Sequence, residues 1–143
     1  MGRIKIDLPT KCIGTFDIPI RITDINYGDH VGNDSLVAII HEARMQFLRA
    51  HNFTELEVAG TSLIMSELVV EFKNESFYGD VLEVRIFPGE ISRVSFELFY
   101  SLAVARNQST ITIANAKTAM VCFNYKEKKV EAVPQALKDI LLS

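Results

Sequence analysis

The chain has 143 residues, 48% of them hydrophobic and 23% charged, with a formal net charge of −3. At this length one domain over residues 1–143 is the natural expectation, with enough apolar side chains for a core. The charge offers no basic field to hold nucleic acid by its phosphates, and the longest apolar runs, such as Leu36 to Ile40, are far too short to span a bilayer.

The N-terminal run Met1-Gly2-Arg3-Ile4-Lys5-Ile6-Asp7 has no apolar core of the kind a signal peptide needs, so a cytoplasmic protein is expected. Ile13 to Ile22 then alternates: Phe16, Ile18, Ile20 and Ile22 against Asp17, Pro19 and Arg21, the pattern of a strand with one wet face. Pro19 places that strand near a sheet edge or a bulge, because proline has no N–H to give a ladder.

A polar knot follows, Thr23-Asp24-Ile25-Asn26-Tyr27-Gly28-Asp29-His30-Val31-Gly32-Asn33-Asp34. It opens directly into a helix that starts near Asn33 or Asp34, either able to cap it, and ends near His51-Asn52. Leu36, Ile39, Ile40, Ala43, Phe47 and Leu48 form a wide apolar stripe that Val37, Ala38 and Met45 broaden, leaving Glu42, Gln46 and Arg49 as the polar strip. A helix this apolar is expected to be buried on most sides.

The remaining chain supplies strands to bury it. Thr61 to Phe72 reads as a strand interrupted near Glu67, and Phe77-Tyr78-Gly79-Asp80 as a turn into a strand from Val81 to Pro88. Gly89-Glu90 allows a second turn. A long strand from Ile91 to Ala105 puts Val94, Phe96, Leu98, Tyr100, Leu102 and Val104 on one face. Arg106 to Ser109 is a hairpin loop, Thr110 to Tyr125 returns, Lys126 to Lys129 is a solvated turn, and Pro134 fits the first position of a helix over Gln135 to Leu142. Strand, long helix, then strands in hairpin succession define an α+β domain with an antiparallel sheet. Strands this long leave extended edges, so edge-to-edge pairing into a homodimer or a larger homo-oligomer is expected.

Cys12 and Cys122 are far apart without a CxxC pair and read as idle thiols. His30, His41 and His51 make no metal-ligand spacing with a carboxylate or cysteine, so no metal site is expected.

The knot and the helix resemble those of hotdog-fold acyl-CoA thioesterases, in particular the 4-hydroxybenzoyl-CoA thioesterase-like branch. That branch carries an Asp-x-Asp-x-x-Gly-His-Val-Asn-Asn turn followed by a helix with Glu-x-Ala-Arg. The matching residues are Asp24 to Asn33 and then Glu42-Ala43-Arg44, and Phe77-Tyr78-Gly79-Asp80 is similar to the family's turn before its third strand. The resemblance implies a hotdog fold, an antiparallel sheet of five or six strands wrapped round a long central helix. It also implies a dimer with a continuous sheet, sites at the subunit interface, and an acyl-CoA or acyl-carrier thioester as ligand. Coenzyme A enters as part of the substrate, and no separate cofactor is implied.

This chain departs from the motif at its chemical centre. The second Asp of the family turn is Asn26, an amide that neither takes a proton at neutral pH nor attacks well. The Gly before the family His is Asp29, and the first Asn of the pair is Gly32. The candidate catalytic residues are therefore Asn26 to orient a water or bond the carbonyl, Asp29 or Glu42 to activate the water, and His30 to donate to a substrate carbonyl. Each has a plain alternative: turn chemistry for Asn26, helix capping for Asp29, backbone bonding for His30, an ion pair with Arg49 for Glu42. Asp24, Tyr27, Gly28, Val31, Gly32 and Asn33 are the candidate substrate-binding residues. Asp24 alternatively pairs with Arg44, and His41 and Arg44 read as packing or interface residues. The glycines and Val31 act through backbone, with amides near Val31 to Asn33 aimed at an oxyanion. Lys73, Arg85, Lys126, Lys128 and Lys129 are candidate phosphate contacts that read more simply as solvated charges. Two functions follow: hydrolysis of the thioester, or a non-catalytic acyl-thioester-binding module that kept the pocket and lost the base. An acyl-thioester dehydratase ranks last, for want of a paired His and acidic residue.

Overall fold

The long helix carries the chain from one edge of a sheet to the other. A computed structural model describes residues 4–143, and the reading of Met1, Gly2 and Arg3 lies outside it. The elements are β1 (Gly14–Pro19), a 3-10 turn (Ile22–Asp24), α1 (Asn33–Ala50), β2 (Ser62–Phe72), β3 (Val81–Ile91), β4 (Ser95–Arg106), β5 (Ser109–Asn124), β6 (Lys129–Val130) and α2 (Gln135–Leu142). All strand pairs are antiparallel, in the order β1-β3-β4-β5-β2, with β6 on β5. β1 and β2 are the two edges, so α1 crosses the concave face between them; this is the hotdog arrangement. Pro19 does lie on an edge strand, as its missing N–H requires.

The core forms where the helix stripe meets the alternating inward residues of the sheet. Leu36, Ile39, Ile40, Ala43, Phe47 and Leu48 are buried against Leu82, Val84 and Ile86 of β3, Phe96, Leu98, Tyr100 and Leu102 of β4, and Ala114, Ala116, Met120 and Cys122 of β5. α2 seals the end of this layer with Leu137 and Leu141. The burial of α1 is less complete than its composition implies: Ala38, His41, Glu42 and Arg49 are exposed. One chain covers only the stripe that faces its own sheet.

Three bulges re-aim side chains. In β2 the register shifts between Met65 and Glu67, so Met65 and Leu68 both face inward while Glu67 stays on the outer face and pairs with Lys117 at 2.7 Å. In β3 a shift between Pro88 and Ile91 replaces the turn expected at Gly89-Glu90, and the strand runs on to Ile91. Glycine is needed there because a Cβ on Gly89 would lie 2.7 Å from Glu97 Cβ on β4. The reversal instead falls at Ser92 to Ser95, closed by the Ser92 N–H on the Ser95 carbonyl at 2.8 Å. In β5 the shift opposite Leu102/Ala103 leaves Ile113 unpaired in the ladder with β4. The β4–β5 hairpin turns through Asn107 and Gln108 with φ of 48° and 66°, the geometry of a two-residue loop. Pro134 is the N-cap of α2, one residue before the position expected for it.

Cys12 is exposed and Cys122 buried, both as free thiols. Burial, reinforced by the charge of Glu131, pushes the Cys122 thiol up to about 11.

Candidate active site at the start of the central helix

The polar knot is a closed loop. Ile25 and Val31 form an isolated antiparallel bridge, the Asn26 N–H bonds the His30 carbonyl at 2.9 Å, and the Asp29 N–H bonds the Asn26 carbonyl at 3.2 Å. Asp29 turns the corner at φ 63°, in the left-handed region, where the family motif has glycine and where a short polar side chain is tolerated. Its carboxyl group is exposed. Asn26 accepts the Gly28 N–H on Oδ1 at 2.8 Å, an Asx turn that serves the loop itself. Tyr27 stands fully in solvent, at 104% relative exposure.

The loop docks on the segment between β2 and β3. The Val31 N–H bonds the Ser76 carbonyl at 2.8 Å, and the Gly32 N–H bonds the Asp24 carbonyl at 3.1 Å. Those two amides, expected to face an oxyanion, are therefore taken by the fold. Gly32 is the N-cap of α1 and brings no side-chain cap, so Asn33 is the first helical residue and not the cap expected from the sequence. Among the described residues no acceptor meets the N–H groups of Asn33, Asp34 and Ser35. Orphan amides at a helix start, with the helix dipole behind them, are suited to a negative oxygen.

Beside that helix start lies a cleft of about 260 Å³, with an apolar side of Val31, Leu36, Phe72 and Ile113 and a polar rim that includes His30, Asn33, Lys73 and Glu75. Its far wall is built by the β5 bulge. The Ile113 carbonyl accepts the amides of Lys73 at 2.9 Å and Asn74 at 3.1 Å, and Asn74 Nδ2 bonds the Thr112 carbonyl at 2.8 Å. Arg106, at the end of β4, holds the rest: its Nη2 pairs with Asp80 and donates to the Glu75 carbonyl at 3.1 Å, and its guanidinium sits 5.1 Å from the centre of the Phe77 ring. Asp80 in turn accepts the Ser76 hydroxyl at 3.1 Å and the Phe77 N–H at 2.9 Å. Burial works to raise the Asp80 pKa, but Arg106 and these hydrogen bonds outweigh it and hold the carboxyl below its usual range.

The sequence candidates thus divide. His30, Val31 and Asn33 line the cleft. Glu42 and Asp24 line a separate groove of about 410 Å³ between β1 and α1. Glu42 accepts from Gln46 at 2.9 Å, and not from Arg49 as its spacing allows. Asp24 is buried and turned back on its own segment, accepting the Arg21 N–H at 2.8 Å; it does not pair with Arg44.

Arg44 has a different partner that the sequence did not single out. Its Nε donates to Glu55 at 2.8 Å and its Nη1 to the Tyr100 hydroxyl at 3.3 Å, while Tyr100 shares a hydrogen with Thr118 at 2.7 Å and His41 Nε2 lies 2.6 Å from Glu55. Burial favours the neutral form of Glu55, yet Arg44 and then His41 win and lower its pKa. Burial likewise works against the Arg44 charge, and Tyr100 and Glu55 more than offset it, raising its pKa. Glu55 and Glu75 both sit in loops, where no periodicity marks a residue for pairing; the Glu-Ala-Arg motif flagged only the arginine end.

The fold belongs to a recognisable class. A profile of the Thioesterase-like superfamily matches residues 20–141, and the chain is a member of that hotdog family. A 1,4-dihydroxy-2-naphthoyl-CoA hydrolase of Nostoc punctiforme is 26% identical over 129 residues, covering 86% of this chain and 82% of its own. The crystal structure of a 1,4-dihydroxy-2-naphthoyl-CoA thioesterase from Synechocystis superposes with a TM-score of 0.80 at 20% identity, over 90% of this chain and 95% of that one. A mutant of 4-hydroxybenzoyl-CoA thioesterase in complex with 4-hydroxybenzoyl-CoA superposes with a TM-score of 0.78 at 16% identity, over 89% and 96% of the two chains. The two structures speak for the fold.

Proposed function

We propose that this protein hydrolyses an acyl-CoA or acyl-carrier thioester with the acyl group in the cleft beside the start of α1. One observation carries the reading: α1 starts on three unmet amides, those of Asn33, Asp34 and Ser35, and the first of these residues lines a cleft with an apolar side. A thioester carbonyl there would develop its negative charge against fixed dipoles, where one such donor is typically worth ~3 kcal/mol in the transition state. Membership of a thioesterase family, and a relative named for CoA-ester hydrolysis, support the reaction class. The chain is proposed to act as a homodimer paired along the free edge of β2, with the seam of the two copies closing the site.

The non-catalytic alternative draws on Asn26, whose Oδ1 is committed to the Gly28 N–H. A panel of acyl-CoA esters, assayed for free thiol with binding measured in parallel, separates the two. Thiol release is the expected outcome. Binding without release identifies a module, and absence of both shows that the ligand class is wrong. Asn26→Asp adds a second arm: a large gain in rate from a silent parent would show a scaffold that had lost its base.

A further inference from the structure

Hydrolysis needs a group that takes a proton from water, and the carboxylates of the helix-start motif do not offer one in the cleft. Asn26 is an amide, Asp29 is exposed on its left-handed corner, and Glu42 lies in another groove. The ionisable residues that line the cleft are His30, Lys73 and Glu75. Lys73 Nζ is 3.5 Å from Glu71.

His30 is built to be a base. Its Nδ1 lies 3.1 Å from the Val31 carbonyl oxygen. A carbonyl only accepts, so Nδ1 carries the hydrogen, and in the neutral ring the lone pair is on Nε2. Nε2 is 3.9 Å from Glu75 Oε1, with the histidine side chain 31% exposed and the glutamate 64% exposed. A lone pair and a carboxylate at that separation are two acceptors without a donor, and a water that gives one hydrogen to each satisfies both after a small shift of the exposed glutamate side chain. Gly28 keeps the nitrogen approachable, since a Cβ there would lie 3.2 Å from Nε2. Glu75 is set in place through its backbone, whose carbonyl accepts from Arg106.

Resting on the thioesterase reading above, we infer that His30 Nε2 is the general base of this protein and that Glu75 holds the attacking water against it. The water oxygen bonds to the thioester carbon as its proton passes to Nε2, and the carbonyl electron pair moves onto oxygen beside the helix-start amides. The tetrahedral adduct then re-forms the carbonyl, the C–S bond breaks with its electron pair on sulfur, and the proton on Nε2 passes to the thiolate. Acid and thiol leave, and the histidine is neutral again. The chemistry lost at position 26 is thereby supplied from the end of the same loop and from the strand connection opposite.

The test uses the full chain as wild type, His30→Gln, His30→Ala and Glu75→Gln. Thiol release from acyl-CoA esters is followed together with binding of a non-hydrolysable acyl-CoA thioether. His30→Gln is expected to lower kcat about 100-fold or more while thioether affinity stays within about twofold. Added imidazole should return part of the rate to His30→Ala, and the fall of kcat/KM on the acid side of the wild-type profile should be absent from the residual activity of His30→Gln. Glu75→Gln, a near-isosteric change on an exposed side chain, should lower kcat about 10-fold with KM little altered. An active wild type whose rate survives either His30→Gln or Glu75→Gln overturns this assignment and leaves the hydrolase reading standing. A wild type that binds acyl-CoA and releases no thiol overturns both.

Discussion

Asparagine at position 26 shows how a single atom can separate a turn from a catalyst. The side chain still closes the loop, because its Oδ1 accepts the Gly28 N–H as a carboxylate oxygen would, but it has no proton affinity to contribute. The other residue that decides local energetics is Glu55. It is the carboxylate partner of a guanidinium whose side chain is only 5% exposed, and removing one member of such a pair leaves a charge without compensation. Glu55→Ala is expected to cost about 3 kcal/mol of stability, measured by urea unfolding. Because the folded-state pKa of Glu55 is lowered, its contribution is complete above the ordinary carboxylate value and is lost as pH falls through the lower, folded value. The wild type should therefore lose urea stability from about pH 5 downward more steeply than Glu55→Ala, which has nothing left to lose there.

Among the elements, the connection between β2 and β3 matters more than its irregular sequence suggests. It forms one wall of the cleft, receives the Val31 N–H, and is clamped by Arg106 from the far end of β4. Arg106→Ala removes a charge-assisted pair with Asp80, a bond to the Glu75 carbonyl and a contact with the Phe77 ring, together worth about 1–3 kcal/mol. The expected result is faster hydrogen exchange at the Val31 amide, which reports directly on the loop, with a raised KM in the thiol assay. Exchange at Val84, in the middle of β3, should be unchanged if the loop opens locally. The bulge at Ile113 belongs to the same device: its carbonyl fixes the amides of Lys73 and Asn74, so an extra residue in β5 sets the position of the wall.

At the scale of the whole molecule, the sheet ends in β2 with an eleven-residue edge, and the inward face of that strand is incompletely covered. Met65 is 41% and Phe72 43% exposed, and a groove of about 270 Å³ between β2 and α1 holds Val37, Ile40, Leu63 and Leu68 beside the His41–Glu55–Arg44 cluster. An apolar strand edge of this length is a template for another strand. A second copy related by a two-fold axis would pair β2 with β2 and bring the start of the partner strand to the end of β2 where Phe72 borders the cleft. For the proposed dimer, Met65→Lys is expected to shift sedimentation toward the monomer and to lower turnover with it. A variant that remains dimeric and fully active would count against this seam.

The sequence by itself determined most of the elements and the buried stripe of α1, but not the β3–β4 reversal, which lies at Ser92 to Ser95 and not at Gly89-Glu90. Periodicity marked α1, β4 and β5 within a few residues, Pro19 marked an edge strand, and the polar knot with Glu-Ala-Arg marked the family, because all of these depend on residues close together in the chain. It also named His30, Val31 and Asn33, which line the cleft. What only the tertiary structure decided is which groups meet: that Val31 and Gly32 spend their amides on the fold, that Glu42 faces a different groove, that Arg44 answers to Glu55 and Tyr100, and that Glu75 comes within reach of His30. Those pairings join loops to helices and strands across long separations, where no local spacing records a contact and the register of a bulge settles which side chains share a space.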